Sequence, residues 1–97
     1  MSQAHISLES VVVQSPEMLM GEVDGDTIML SMETSKYYGF EAVGGRIWEI
    51  LTQPQPVRRV CDALASEYDV ERQTCEAEVV AFVQRLLDES LVQVRGV

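Results

Sequence analysis

The chain has 97 residues, of which 46% are hydrophobic and 24% charged, and a net charge of −9. This is one domain of ordinary globular balance, burying roughly 60–68% of its unfolded surface, with little room for a deep catalytic cavity. Its 7 Lys and Arg against 16 Asp and Glu argue against binding nucleic acid, which rests on neutralising phosphates. The apolar runs "VVV" and "VVAFV" fall far short of the roughly 18 residues a membrane span needs.

The opening "MSQAHISLES" has neither the basic start nor the apolar core of a secretory signal, so a cytoplasmic protein is expected. Residues 1–16 read as an N-terminal arm or short strand ended by Pro16, and residues 17–97 as the domain proper. Residues 17–40 form its β half. Asp24-Gly25 is the strongest local signal there, because a two-residue type I′ turn needs positive φ at both central positions. Leu19, Gly21 and Val23 alternate before it, and Ile28, Leu30 and Met32 after it. Met18, Met20 and Met29 then fall on the opposite face, so the outer side of the sheet is not expected to be wholly polar. "ETSK" (residues 33–36) is a second turn, leaving a short third strand over residues 36–40.

The remainder reads as helical. Ile47, Trp48, Ile50 and Leu51 give a first helix, near residues 42–51, an apolar face. "TQPQP" breaks it, since Pro54 and Pro56 hold the residues before them extended. Pro56 fits the first position of a second helix, in which Val57, Val60, Cys61, Leu64, Ala65 and Tyr68 share one face. A third helix spans about residues 72–89, and "LVQV" (residues 91–94) is a tail folded onto the core. Strands followed by helices argue an α+β fold. A three-stranded antiparallel sheet and then three helices is a winged-helix-like parts list.

No catalytic constellation emerges. His5 has no positioned partner, as general acid–base work requires. The acidic residues are scattered over surface-like helix positions. Phosphate-loop and zinc motifs are absent, and Cys61 and Cys75 have no metal spacing, so both read as reduced thiols, with a disulfide between them as the alternative. Arg58-Arg59 reads as helix surface. No catalytic residue, metal or cofactor is expected.

Two features point instead to a partner. The strand Lys36, Tyr37, Tyr38, Gly39 and Phe40 would lie at a sheet edge, whose free N–H and C=O groups are a template for another strand. Tyrosines there offer apolar bodies with polar tips. On the third helix, Val79, Phe82, Val83 and Leu86 form a core stripe. Val80 and Leu87, flanked by Glu76 and Gln84, form a second stripe, which is either a wider buried face or, with Val80, Val83 and Leu87 as its wall, a groove beside that edge. Gly44-Gly45 costs the first helix stability, roughly 1 kcal/mol per glycine relative to alanine, which argues close packing of that helix on the sheet.

The stretches "VDGDTIMLSMETSKYYGFEAVGGRIWEIL" and "VRRVCDALASEYDVERQTCEAEVVAFVQRLLDESLV" resemble the PqqD-like family of RiPP precursor peptide recognition elements. The most specific part is residues 36–51. The resemblance implies a winged-helix-like fold that captures the leader segment of a ribosomally made precursor peptide. The leader would add as a further antiparallel strand to residues 36–40. Its side chains would enter a pocket among Leu30, Met32, Tyr37, Tyr38, Val80, Val83 and Leu87. Glu41 departs from the Asn or Asp of many relatives and is a weaker helix cap. A disordered leader gives up ordering entropy on binding, so an affinity of about −8 to −10 kcal/mol is expected, favouring basic partners. The implied partner is a maturation enzyme: a transglutaminase-like cysteine peptidase in lasso-peptide synthesis, or a radical SAM enzyme in pyrroloquinoline quinone synthesis. The alternatives are a winged-helix DNA-binding regulator and an assembly subunit that dimerises through its edge strand.

Overall fold

The computed structural model describes residues 5–16, 18–32 and 35–95. In chain order it forms β1 (Val11–Gln14), β2 (Met18–Val23), β3 (Asp26–Ser31), β4 (Tyr37–Phe40), α1 (Ala42–Ile50), β5 (Gln55–Pro56), α2 (Val57–Glu67), α3 (Arg72–Asp88) and β6 (Val92–Arg95). The α+β order of an antiparallel meander followed by three helices is present. A second small sheet, β5-β1-β6, accompanies it. The strand expected before Pro16 is β1, the central strand of that sheet. The expected C-terminal tail is β6, antiparallel to β1 with Val12 opposite Val94.

In the meander β2-β3-β4, Val23 pairs with Asp26 across the Asp24-Gly25 turn. Both turn residues have positive φ, 52° and 86°, as a type I′ hairpin requires. Ser35 also has positive φ, 60°, at the end of the second turn; Glu33 and Thr34 lie outside the described residues. Pro56 is the N-cap of α2 rather than its first helical residue. Its missing N–H costs nothing there, and the ring pre-sets the extended backbone that β5 uses to pair with β1.

The faces of the meander are the reverse of the expected ones. Met29 is fully buried at the sheet's centre, and Met18 packs on the core. Trp48 donates its Nε1–H to the Met20 sulfur, 2.9 Å away. Leu19, Val23 and Met32 are more than half exposed. The reason is the partner helix. Trp48 on α1 needs unbranched, deformable side chains over its ring, and methionine supplies them. The outer side therefore inherits the leucines and valines. Trp48, Met29, Leu51, Val12, Val57, Val60, Val83, Leu91 and Val92 form the centre of one core shared by both sheets and all three helices.

Candidate functional site

Among the described residues, β4 pairs with β3 on one side only, in the register Leu30–Tyr37, Ile28–Gly39 and Thr27–Phe40. Ser31 N–H donates to the Lys36 carbonyl at 3.0 Å. Antiparallel bonding alternates along a strand, so Tyr38 and Phe40 face their bonds toward β3. The N–H and C=O of Tyr37 and Gly39 point to the open edge, and no described residue bonds to them. This free edge lies beside α3, with a groove between the two.

Two basins make up the groove. The larger, about 720 Å³, runs from Gly39 and Phe40 past Val43, Gly44 and Ile47 of α1 to the segment joining α2 and α3. Its α3 wall is Thr74, Glu78, Val79, Ala81, Phe82 and Arg85. The smaller, about 380 Å³, lies among Tyr38, Phe40, Phe82, Leu86, Glu89 and Leu91. Phe40, Phe82 and Arg85 line both. The two phenyl rings meet edge to face at 5.4 Å, an arrangement their quadrupoles favour. The Arg85 guanidinium lies 5.7 Å over the Phe82 ring. Tyr38 donates its hydroxyl to Glu89 Oε1 at 3.3 Å, tying the strand to the end of α3.

The eleven residues expected at the site do not meet in one pocket. Tyr38 and Phe40 line the groove, together with backbone at Gly39. Leu30, Met32 and Tyr37 belong to the other side of the sheet, by the strand's period of two. There Tyr37 is 75% exposed beside half-buried Ile28 and Leu30. Lys36 is exposed at the start of β4. On α3, Val83 is fully buried and Val80 packs on the core. Leu87 lines a separate cleft with Ser15, Met18 and Ser90, and Glu76 pairs with Arg72 at 2.7 Å. Val80 and Leu87 line neither basin. Gln84, on the same face as Val80, accepts a hydrogen bond from Ile6 N–H at 2.8 Å, which places the N-terminal segment beside that face. The wall that faces β4 is the mixed one, Thr74–Glu78–Ala81–Phe82–Arg85. Sequence reading missed it because a face holding Glu, Thr and Arg looks solvated, although an alanine beside an aromatic marked the place where space was left.

Glu41 is the N-cap of α1 and makes no side-chain cap bond, so its carboxylate is left to line the larger basin. Cys61 and Cys75 are both free and buried between α2 and α3. Burial and the neighbouring Cys75 push the Cys61 thiol up to about 11, which keeps it protonated and unreactive. Among the described residues, no group of His, Cys, Asp and Glu could hold a metal ion, and no helix is long and apolar enough to cross a membrane.

Residues 26–92 match the family described as "Coenzyme PQQ synthesis protein D (PqqD)", and the chain belongs to that family. No curated protein matches it. Among solved structures, it is similar to "TbiB1 in Complex with the TbiA(beta) Leader Peptide", with 28% identity, a TM-score of 0.78, and coverage of 88% of this chain and 99% of that one. It is similar in fold to "Lasso peptide synthetase B1 complexed with the leader peptide", at 23% identity and TM-score 0.74, covering 84% of this chain and 96% of that one. A third likeness in fold is the PqqD truncation of Methylobacterium extorquens PqqCD, described as a functional and stand-alone RiPP recognition element. There the identity is 12% and the TM-score 0.76, over 91% of this chain and 94% of that one.

Proposed function

We propose that this member of the PqqD family is a non-catalytic recognition element that captures the leader of a ribosomally made precursor peptide. The observation that carries the reading is the unpaired edge of β4 beside an open groove on α3. The leader adds antiparallel to Tyr37–Phe40, and its main chain bonds to the free N–H and C=O of Tyr37 and Gly39. Main-chain pairing gives sequence-tolerant affinity, and pockets for alternate side chains give selectivity. One set of guest side chains enters the two basins over Phe40 and Phe82. The other set lies beside Tyr37 on the outer face. The 28% identical structure in complex with a leader peptide, spanned almost end to end, supports this reading. The likeness in fold to a lasso peptide synthetase B1 protein favours lasso-peptide maturation, with a leader peptidase receiving the bound precursor.

The test is an amide NMR titration of the full chain with the leader of the precursor encoded beside its gene. The signals of residues 37–40 and of Ala81, Phe82 and Arg85 are expected to move in slow or intermediate exchange. Unmoved signals at Tyr37 and Gly39 with saturating leader would sink the proposal.

A further inference from the structure

We propose that the larger basin selects leaders carrying a lysine or arginine beside a bulky apolar residue in the N-terminal half of the bound segment. The inference rests on the strand-addition reading above and goes beyond it to the chemistry of the guest. β4 runs from Tyr37 toward Phe40 and α1, so an antiparallel guest runs the other way. Its N-terminal half lies over the larger basin, and its C-terminal half leaves past Tyr37.

The charge around that basin is one-sided. Its apolar lining includes Val43, Ile47, Val79 and Phe82, while the exposed carboxylates of Glu41, Glu71 and Glu78 stand among the same lining residues. Among the described residues, none of the three is in an ion pair, and Glu71 only accepts the Thr74 hydroxyl at 2.6 Å. Of the other arginines, Arg46 pairs with Glu67, Arg72 with Asp62 and Glu76, and Arg58 with Glu9, while Arg59 and Arg95 do not line the basin. Among the described residues, the one cation lining the larger basin, Arg85, lies over Phe82 where the two basins join. In the smaller basin the same Arg85 lines the wall with two carboxylates, Asp88 and Glu89, against the three around the larger basin. An apolar floor with an acidic rim suits a long cationic side chain, which lays its methylenes on the floor and its head among carboxylates. Each rim pair is weak, but together they steer the approach of a basic segment and set its direction on the strand.

The experiment is selection of a random peptide library against the full-length protein at low ionic strength, followed by amide NMR of the chain with the selected peptides. Lys or Arg should be enriched within a few positions N-terminal to, or next to, a bulky apolar residue. The doubly substituted chain Glu41→Gln/Glu78→Gln should bind those peptides about threefold to tenfold more weakly, and high salt should shrink the difference. Selected peptides that move the Tyr37–Phe40 amides but show no basic bias, or bind the double variant equally, overturn the charge inference and leave strand addition standing. Peptides that leave β4 unmoved, or a selection that yields no binder, overturn strand addition and this proposal with it.

Discussion

At Gly45 the first helix leans directly on the sheet. A Cβ built there would meet the Thr27 side chain, with Thr27 Cβ only 3.1 Å away, whereas at Gly44 the nearest atoms are Phe40 Cβ and Phe82 Cζ at 3.2 Å. Ordinary propensity favours replacing either glycine by alanine, by roughly 1 kcal/mol. Gly45→Ala is nevertheless expected to destabilise the fold by about 1–3 kcal/mol, because Thr27 sits in a hydrogen-bonded strand and moves only with it. Urea unfolding checks this, and the double variant Gly45→Ala/Thr27→Ala should recover most of the loss. A Gly45→Ala chain as stable as the parent would mean that α1 can lift from the sheet at no cost. The close approach itself was legible in the adjacent glycines. Which of the two makes it was not, since that depends on the helix's rotation about its axis, and the rotation is set by Trp48 seating against Met20 and Met29.

The third helix shows what an element conceals in its sequence. It has a core stripe of Cys75, Val79, Val83 and Leu86, and to either side a face that sequence alone ranks by greasiness. The greasier one, with Val80 and Leu87, lies beside the N-terminal segment. The more polar one, with Glu78, Ala81 and Arg85, is the groove. Apolar periodicity locates surface that must leave water, and it cannot say whether the chain's own residues or a guest's will cover it. Two substitutions separate the faces. Ala81→Trp, at an exposed position lining the larger basin, should leave stability within about 0.5 kcal/mol. It should weaken leader binding by at least about tenfold, ~1.4 kcal/mol, by filling the groove. Val80→Asp should do the reverse, costing about 1–3 kcal/mol of stability through a half-buried unpaired charge, while the folded fraction binds the leader as before. Calorimetric titration beside thermal unfolding reads both. If Val80→Asp abolishes binding and Ala81→Trp does not, the groove lies on the other face of the helix.

For the molecule as a whole, the least local part of the sequence does the most joining. β1 lies between β5 and β6, with Val12 fully buried and Val13 nearly so, and Ile6 reaches the core ahead of it. Its neighbourhood fastens four elements. Gln14 N–H donates to the Leu51 carbonyl at 2.9 Å, its side chain to the Trp48 carbonyl at 2.7 Å, and Ser15 N–H to the Leu91 carbonyl at 2.9 Å. Val57 and Arg58, opening α2, donate to the Ser10 and Leu8 carbonyls at 2.9 and 3.0 Å. None of this was readable from residues 1–16, because the pairing of Val11 with Arg95 joins opposite ends of the sequence and leaves no local signature. The meander, by contrast, announces itself through one Asp-Gly turn. The family match, over residues 26–92, begins after β1 and β2, so the matched segment does not include the strand that closes its core. Deleting residues 1–16 would return Ile6, Val12 and Val13 to water, at about 1.5–3 kcal/mol each, against a total margin of about 5–15 kcal/mol. It would also strip Val57, Leu91 and Val92 of their cover and leave β6 without a partner. The 17–97 fragment is therefore expected to lack a cooperative urea transition and to give a collapsed amide spectrum, although the whole of the β4–α3 groove remains in it. A fragment that unfolds cooperatively and still binds leader would show that the second sheet is an accessory, with the meander and helices holding the groove unaided.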